Sequence, residues 1–198
     1  YEKMLKTIDR IIKKSNHKFD FIDLGGGIGI PYENKSKKFN YKKYNTIIKK
    51  FLENKKCKII FEPGRSIIGN TAVLMSKIIY IKKTKNKNFI ILDAAMNDFI
   101  RPALYGAKHR IIPVNKNKKK SFKKYEFVGP ICETTDKFLT LKNYQNLNEK
   151  DLVLLCDVGA YGMSLSSNYN VRAKPIELLI NKSKITIIKK RQKLTDLI

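Results

Sequence analysis

Phe19-Asp-Phe-Ile-Asp-Leu-Gly-Gly-Gly-Ile-Gly29 opens apolar and β-prone, then breaks into three consecutive glycines with a fourth two residues on. This is the pattern of a short buried strand running into a glycine turn. Gly25, Gly26 and Gly27 carry no Cβ, so the chain there can take positive φ and bring its N–H groups close to a ligand. Such a turn serves as an anion cradle or as a plain tight turn. The spacing is not Gly-x-Gly-x-x-Gly, and no Gly-Lys-Ser/Thr follows, so neither the dinucleotide fingerprint nor the Walker loop fits.

On either side the apolar period changes to that of a helix. Met4, Leu5, Ile8, Ile11 and Ile12 predict a helix over residues 1–14, and Tyr44, Ile47, Ile48, Phe51 and Leu52 predict a second over 41–52. Residues 19–24 read as a strand, with a glycine loop over 25–34. A short strand over 58–61 runs into Glu62-Pro-Gly-Arg65. Helix, strand, loop, helix, strand, loop is the alternation of an α/β barrel or a doubly wound sheet. After Gly69 the texture becomes β-rich, with polar turns and no long helix, over 71–83, 89–93, 152–155, 175–180 and 185–190. That predicts an antiparallel β domain. The change falls near residues 66–76, which divides the chain into 1–70 and 71–198. The Lys-rich run over 116–124 reads as a solvated loop, and 191–198 as a last short helix.

The 198 residues carry a formal net charge of +25 and are 42% hydrophobic, enough apolar content for a folded core. Such a charge raises nucleic acid as a partner. Only six of the 42 basic residues are Arg, however, and the lysines are spread among Asn and Ile, with no Arg-aromatic stripe on one face. A nucleic-acid role is therefore not expected. Cys57, Cys132 and Cys156 are odd in number and show no Cys-x-x-Cys spacing, which speaks for a reducing compartment and against a disulfide framework or zinc site. With only His17 and His109 as histidines, no metal centre is expected. The apolar runs are too short to span a bilayer. The first residue is Tyr1, not Met, which leads us to expect a preceding segment.

Four further stretches can carry chemistry. Glu62-Pro-Gly-Arg65 follows a strand end, where barrels place their sites, and also reads as a turn with a surface arginine. Arg101 and Tyr105 stand one helical turn apart, although Pro102 pushes Arg101 towards an extended backbone. Gly129-Pro-Ile-Cys-Glu133 sets a thiol beside a carboxylate. Asp157-Val-Gly-Ala-Tyr-Gly162 places Tyr161 among small residues, as a β-bulge would.

Together with Asp23-Leu-Gly-Gly-Gly-Ile-Gly-Ile-Pro-Tyr32, Asp93-Ala-Ala-Met-Asn-Asp-Phe-Ile-Arg-Pro-Ala-Leu-Tyr-Gly106 and Ser166-Ser-Asn-Tyr169, these pieces resemble the diaminopimelate decarboxylases. The glycine triplet and Glu-Pro-Gly-Arg are shared with ornithine and arginine decarboxylases, so a decarboxylase of those amino acids, or an inactive remnant, is the alternative. Arg-Pro-Ala-Leu-Tyr points to the diaminopimelate branch. The resemblance implies the C-terminal part of a TIM-type α/β barrel that binds pyridoxal 5'-phosphate, followed by the antiparallel β domain. It implies a cytoplasmic homodimer that shares its sites and converts meso-diaminopimelate to L-lysine and CO2. It further implies Gly26, Gly27, Glu62, Pro63, Gly64, Arg65 and Tyr161 around the cofactor, with Glu62 at its pyridine nitrogen. Arg65, Arg101, Tyr105, Glu133 and Tyr161 would meet substrate, and Cys132 would donate a proton, Cys132 and Glu133 coming from the partner subunit. The lysine that carries the cofactor in that family has no counterpart among these residues. The stretch is therefore expected to be inactive by itself.

Overall fold

In a computed structural model, residues 1–32, 37–116, 119 and 124–197 are described, and the chain divides into two compact units, Tyr1–Ile67 and Ile68–Ile198. In the first, α1 (Glu2–Ser15) buries Leu5 and packs Met4, Ile8 and Ile12 beside it, while Ile11 stays exposed. The helix ends where Asn16 adopts the left-handed region, φ 50°, which Asn tolerates better than most residues. Two strands follow, β1 (Phe21–Asp23) and β2 (Lys58–Ile60), paired in parallel with Ile22 opposite Ile59. Parallel neighbours need a crossover, and α2 (Tyr41–Leu52) provides it. Asn40 caps α2, its side-chain oxygen accepting from the Lys43 N–H at 2.9 Å. Leu5, Leu24, Ile48 and Phe51 form the core of this unit. The expected barrel portion thus consists of one parallel strand pair with two helices. The loop expected over 25–34 extends past the described residues at its end.

The short α3 (Arg65–Ile68) precedes a six-stranded sheet in the second unit. Its central strand is β3 (Val73–Lys83), an eleven-residue strand that serves two neighbours in turn. Val73 to Lys77 pair antiparallel with β8 (Leu152–Cys156), and Ile78 to Lys83 pair with β4 (Lys87–Leu92). A register shift between Ile78 and Tyr80 marks a bulge at the changeover. The remaining strands are β5 (Ile111–Pro113), β6 (Lys124–Val128) and β7 (Lys137–Leu141), giving the order β5-β8-β3-β4-β6-β7. Alternate residues of β4 and β8 point inward, so that Ile90, Leu92, Val153 and Leu155 join Ile78, Phe99 and Phe127 in a fully buried core.

The sheet corrects the sequence reading in one respect: it is mixed. β4 and β6 are parallel, with Ile90 opposite Phe127. The long chain between them, which contains α4 (Arg101–Tyr105) and β5, is free to cross over, so no hairpin forces them antiparallel. Three strands escaped the sequence reading as well. β5 ends in a proline, and β6 hides its alternation because Glu126 is buried together with Tyr125 and Phe127. The chain closes with an antiparallel hairpin, β9 (Glu177–Asn181) and β10 (Lys184–Lys189), and the expected last helix is a single tight turn at Leu194–Asp196. The loop expected over 116–124 lies largely outside the described residues. Among the described residues no helix is long and apolar enough to cross a membrane.

Glu126 is held by Lys87 at 2.7 Å and Lys137 at 3.2 Å. Burial pulls its carboxyl up, but the two lysines outweigh that and leave it below its ordinary 4.5. Stability from this triad is therefore present above the ordinary carboxylate range and is lost as pH falls through the depressed pKa. Glu126→Gln should cost about 1 kcal/mol at neutral pH, kept small by solvent around the lysines. Thermal melts should show the gap between variant and parent closing as pH falls through the depressed Glu126 pKa. A gap independent of pH would assign the loss to packing instead.

Candidate active site

The site residues expected from the sequence fall into two sets, one in each unit. In the first unit the parallel register carries the chain off β1 and β2 side by side. Leu24 N–H donates to Ile60 O at 3.0 Å, and Glu62 N–H donates to Gly25 O at 2.9 Å. The glycine turn and Glu62-Pro-Gly-Arg65 are thus adjacent loops beyond the same ends of two parallel strands. Asp23 steers the turn by accepting from Gly25 N–H at 2.7 Å. Gly25 and Gly27 sit at φ 61° and 83°. A Cβ on Gly26 would overlap the Glu62 carbonyl. Among the described residues nothing accepts from the Gly26 and Gly27 amides. Two backbone donors held in a turn that admits no side chain fit a phosphate group. Glu62 is exposed and Arg65, at the start of α3, is half-buried.

In the second unit α4 positions Arg101. Pro102 occupies the first turn, where no N–H is required, so the helix forms despite the bias on the residue before proline. Gly106, at φ 60°, ends it, donating to Pro102 O at 3.0 Å. Arg101 is only 5% exposed. Its guanidinium carbon lies 5.6 Å from the Tyr105 ring centre and 5.7 Å from that of Tyr161, both cation–π distances. Nε donates to His109 Nε2 at 3.4 Å.

Tyr161 reaches this position from a strained backbone. Asp157 and Tyr161 have φ 63° and 62°, in the left-handed region that side chains avoid. A Cβ on Gly159 would overlap the Ile68 carbonyl, and one on Gly162 the Val158 carbonyl. Arg110 holds Asp157 at 3.2 Å. The whole run is therefore packed into one conformation that presents the ring of Tyr161.

Cys132 and Glu133 occupy the exposed tip of the turn between β6 and β7. Buried Asp136 builds that turn. One carboxylate oxygen accepts from Ile131 N–H and the other from Met96 N–H, both at 2.8 Å. A Cβ on Gly129 would run into the same carboxylate. Burial pushes the Asp136 carboxyl up, against the opposing pull of those two N–H groups. Glu133 accepts from the Tyr169 hydroxyl at 3.1 Å, and this bond raises the phenol.

Asp136, His109, Tyr169 and Arg172 are supporting residues that the sequence does not single out. Arg172 donates to Asn97 Oδ1 at 3.0 Å and to Asp93 O at 2.6 Å, tying 169–172 to the segment that leads into α4. Tyr169 stood in a noted motif, but nothing in that motif indicated its contact with Glu133.

The sequence model of the family described as pyridoxal-dependent decarboxylase, C-terminal sheet domain, matches residues 8–159. The chain is 43% identical over 177 residues to the diaminopimelate decarboxylase of Helicobacter pylori, covering 89% of this chain and 44% of that protein. It is 39% identical over 194 residues to that of Aquifex aeolicus, covering 96% and 45%. The crystal structure of the Helicobacter pylori enzyme complexed with L-lysine superposes with a TM-score of 0.84 at 39% identity, over 99% of this chain and 48% of that one. The chain thus spans about half the length of the curated relatives it matches.

Asp136→Asn tests the support of the Cys132-Glu133 turn. The amide would set an NH2 against one of two backbone N–H donors, at a cost of about 1–3 kcal/mol. Urea unfolding should show the loss, and labelling of Cys132 by a thiol reagent should change in rate. Unchanged stability and labelling would show that the carboxylate is not what holds the turn.

Proposed function

The chain belongs to the pyridoxal-dependent decarboxylases, and we propose that it supplies the phosphate cradle and the substrate-recognising sheet of a meso-diaminopimelate decarboxylase, which releases CO2 and leaves L-lysine. One observation carries the choice of substrate: a buried guanidinium, Arg101, framed by Tyr105 and Tyr161. Diaminopimelate differs from ornithine in bearing a carboxylate at its far end. A cation suits that carboxylate and would repel the bare distal ammonium of ornithine. Glu133, an exposed carboxylate oriented by Tyr169, suits the distal ammonium of diaminopimelate.

Pyridoxal 5'-phosphate, when bound, supplies an electron sink for the charge left at Cα as CO2 departs. Gly26 and Gly27 would hold its phosphate, with Pro63, Gly64 and Arg65 in the adjacent loop, and Tyr161 would contact the group as well as substrate. Glu62 would accept a hydrogen bond from the protonated pyridine nitrogen and keep that ring electron-poor. Arg65 and Tyr105 complete the substrate contacts. Cys132 would return a proton to Cα, a task suited to an exposed thiol.

The position of Cys132 and Glu133 on a projecting turn supports a homodimer in which each copy completes the site of the other. Three cysteines, odd in number and without Cys-x-x-Cys spacing, support a reducing compartment, the cytoplasm.

Assays on the complete polypeptide that contains this chain test the reading. Cys132→Ala should lower turnover by about 10²–10⁴-fold while the cofactor absorbance band persists. Mixed dimers of Cys132→Ala with a variant lacking cofactor attachment should recover activity, and mixed dimers that form yet stay inactive would reject the shared site. Arg101→Ala should lose about 2–5 kcal/mol in kcat/KM for meso-diaminopimelate, because a desolvated carboxylate is left unpaired. Arg101→Lys should also be impaired, since an ammonium lacks the planar fork. If Arg101→Ala lowers Tm but keeps a normal kcat/KM, Arg101 only braces the sheet and the choice over ornithine or arginine falls.

A further inference from the structure

We propose that His109 is a positioning residue for Arg101, its neutral ring holding the guanidinium in the orientation that presents it to a carboxylate. The inference rests on the reading of Arg101 as the ligand of the distal carboxylate.

His109 is 2% exposed and stands edge-to-face with Phe99, ring centres 4.6 Å apart at 84°. Its Nδ1 lies 3.0 Å from the carbonyl oxygen of Cys156. A carbonyl can only accept, so Nδ1 carries the proton. Arg101 Nε, 3.4 Å from Nε2, can only donate, so Nε2 carries the lone pair. Both neighbours therefore require the same neutral tautomer. An imidazolium would set a second N–H, and a positive charge, against the guanidinium.

The anchor behind the ring is rigid. Cys156 ends β8 and pairs with Val73 of β3, the central strand of the sheet. Its N–H also donates to Arg110 O at 2.9 Å, which closes the chain next to His109. From Cys156 the support runs through the imidazole to Nε of Arg101. Tyr105 and Tyr161 lie over the guanidinium. With Nε directed at His109, the two terminal nitrogens are the pair that would meet a carboxylate in two-pronged fashion. A ligand-binding group held by a supporting partner of fixed tautomer keeps its geometry without reorganising on binding.

The test compares two probes on the cofactor-loaded complete polypeptide by calorimetry: L-lysine, and pentane-1,5-diamine, which lacks the carboxylate. The parent should prefer lysine, and Arg101→Ala should abolish that preference. In His109→Asn the amide can still donate towards Cys156 O but offers no acceptor to Arg101. Its lysine affinity should fall about tenfold, while diamine affinity stays within about twofold, misplacement of a binding group acting on this scale. His109→Gln can place its oxygen where Nε2 was and should keep the preference. If Arg101→Ala abolishes the preference but His109→Asn keeps it, the positioning role is overturned and the reading of Arg101 survives. If Arg101→Ala keeps the preference, the reading of Arg101 itself fails, and this inference with it. Should His109→Asn not fold, His109→Gln decides: a retained preference supports the proposal and a lost one overturns it. Failure of both variants to fold would mark the ring as a structural requirement and overturn the proposal.

Discussion

A guanidinium cannot be dehydrated without something to replace the water, and Arg101, 5% exposed, sets that demand on the second unit. The replacement comes from residues both near and far along the chain. Tyr105 lies one helical turn on, His109 just past the glycine that ends the helix, and Tyr161 beyond β8. Each of these must be delivered by backbone that has little choice of conformation. The left-handed residues at Gly106 and Tyr161, and the close approach at Gly159, follow from that requirement.

Carboxylates perform the complementary task of fixing loops by accepting from backbone N–H groups. Asp93 accepts from Lys77 N–H at 2.9 Å and from Ser76 Oγ at 2.6 Å. Asp98 accepts from Ala95 N–H at 2.9 Å, and Asp136 joins Met96 and Ile131. Burial raises the carboxyls of Asp98 and Asp136 in spite of these bonds. A group raised in the folded state adds stability that is present below its unfolded pKa and lost as pH rises through the folded one. The protonation-linked part of their stabilisation is therefore lost by neutral pH, and the backbone N–H bonds are what hold the loops that carry Arg101 and Cys132.

In the first unit the constraint is steric. Parallel pairing of β1 with β2 sets Gly25 and Glu62 within a hydrogen bond of each other, which leaves no room for a Cβ on Gly26. Glycine is thus required there for two separate reasons, positive φ at its neighbours and close approach at its own position. The Gly26 and Gly27 amides have no acceptor among the described residues, which makes the turn suitable for an anion.

Much of this was legible in the residues themselves. The 3.6-residue period marked α1 and α2, and the apolar run before the glycines marked β1, because these are local preferences of the backbone. The motifs also named Arg101, Tyr105 and Tyr161, though not the His109 that meets Arg101 Nε. Tertiary structure alone decided the rest. Parallel pairing of β4 with β6 depends on a long crossover that no local pattern records. Burial of Glu126 between Lys87 and Lys137 broke the alternation by which β6 could have been recognised. His109 offered no signal beyond being one of two histidines, since its tautomer follows from two partners, eight and 47 positions away in the chain. Sequence specifies which groups a chain carries and how its backbone bends locally. Which group faces which is settled only when non-local strands pair and bury them together.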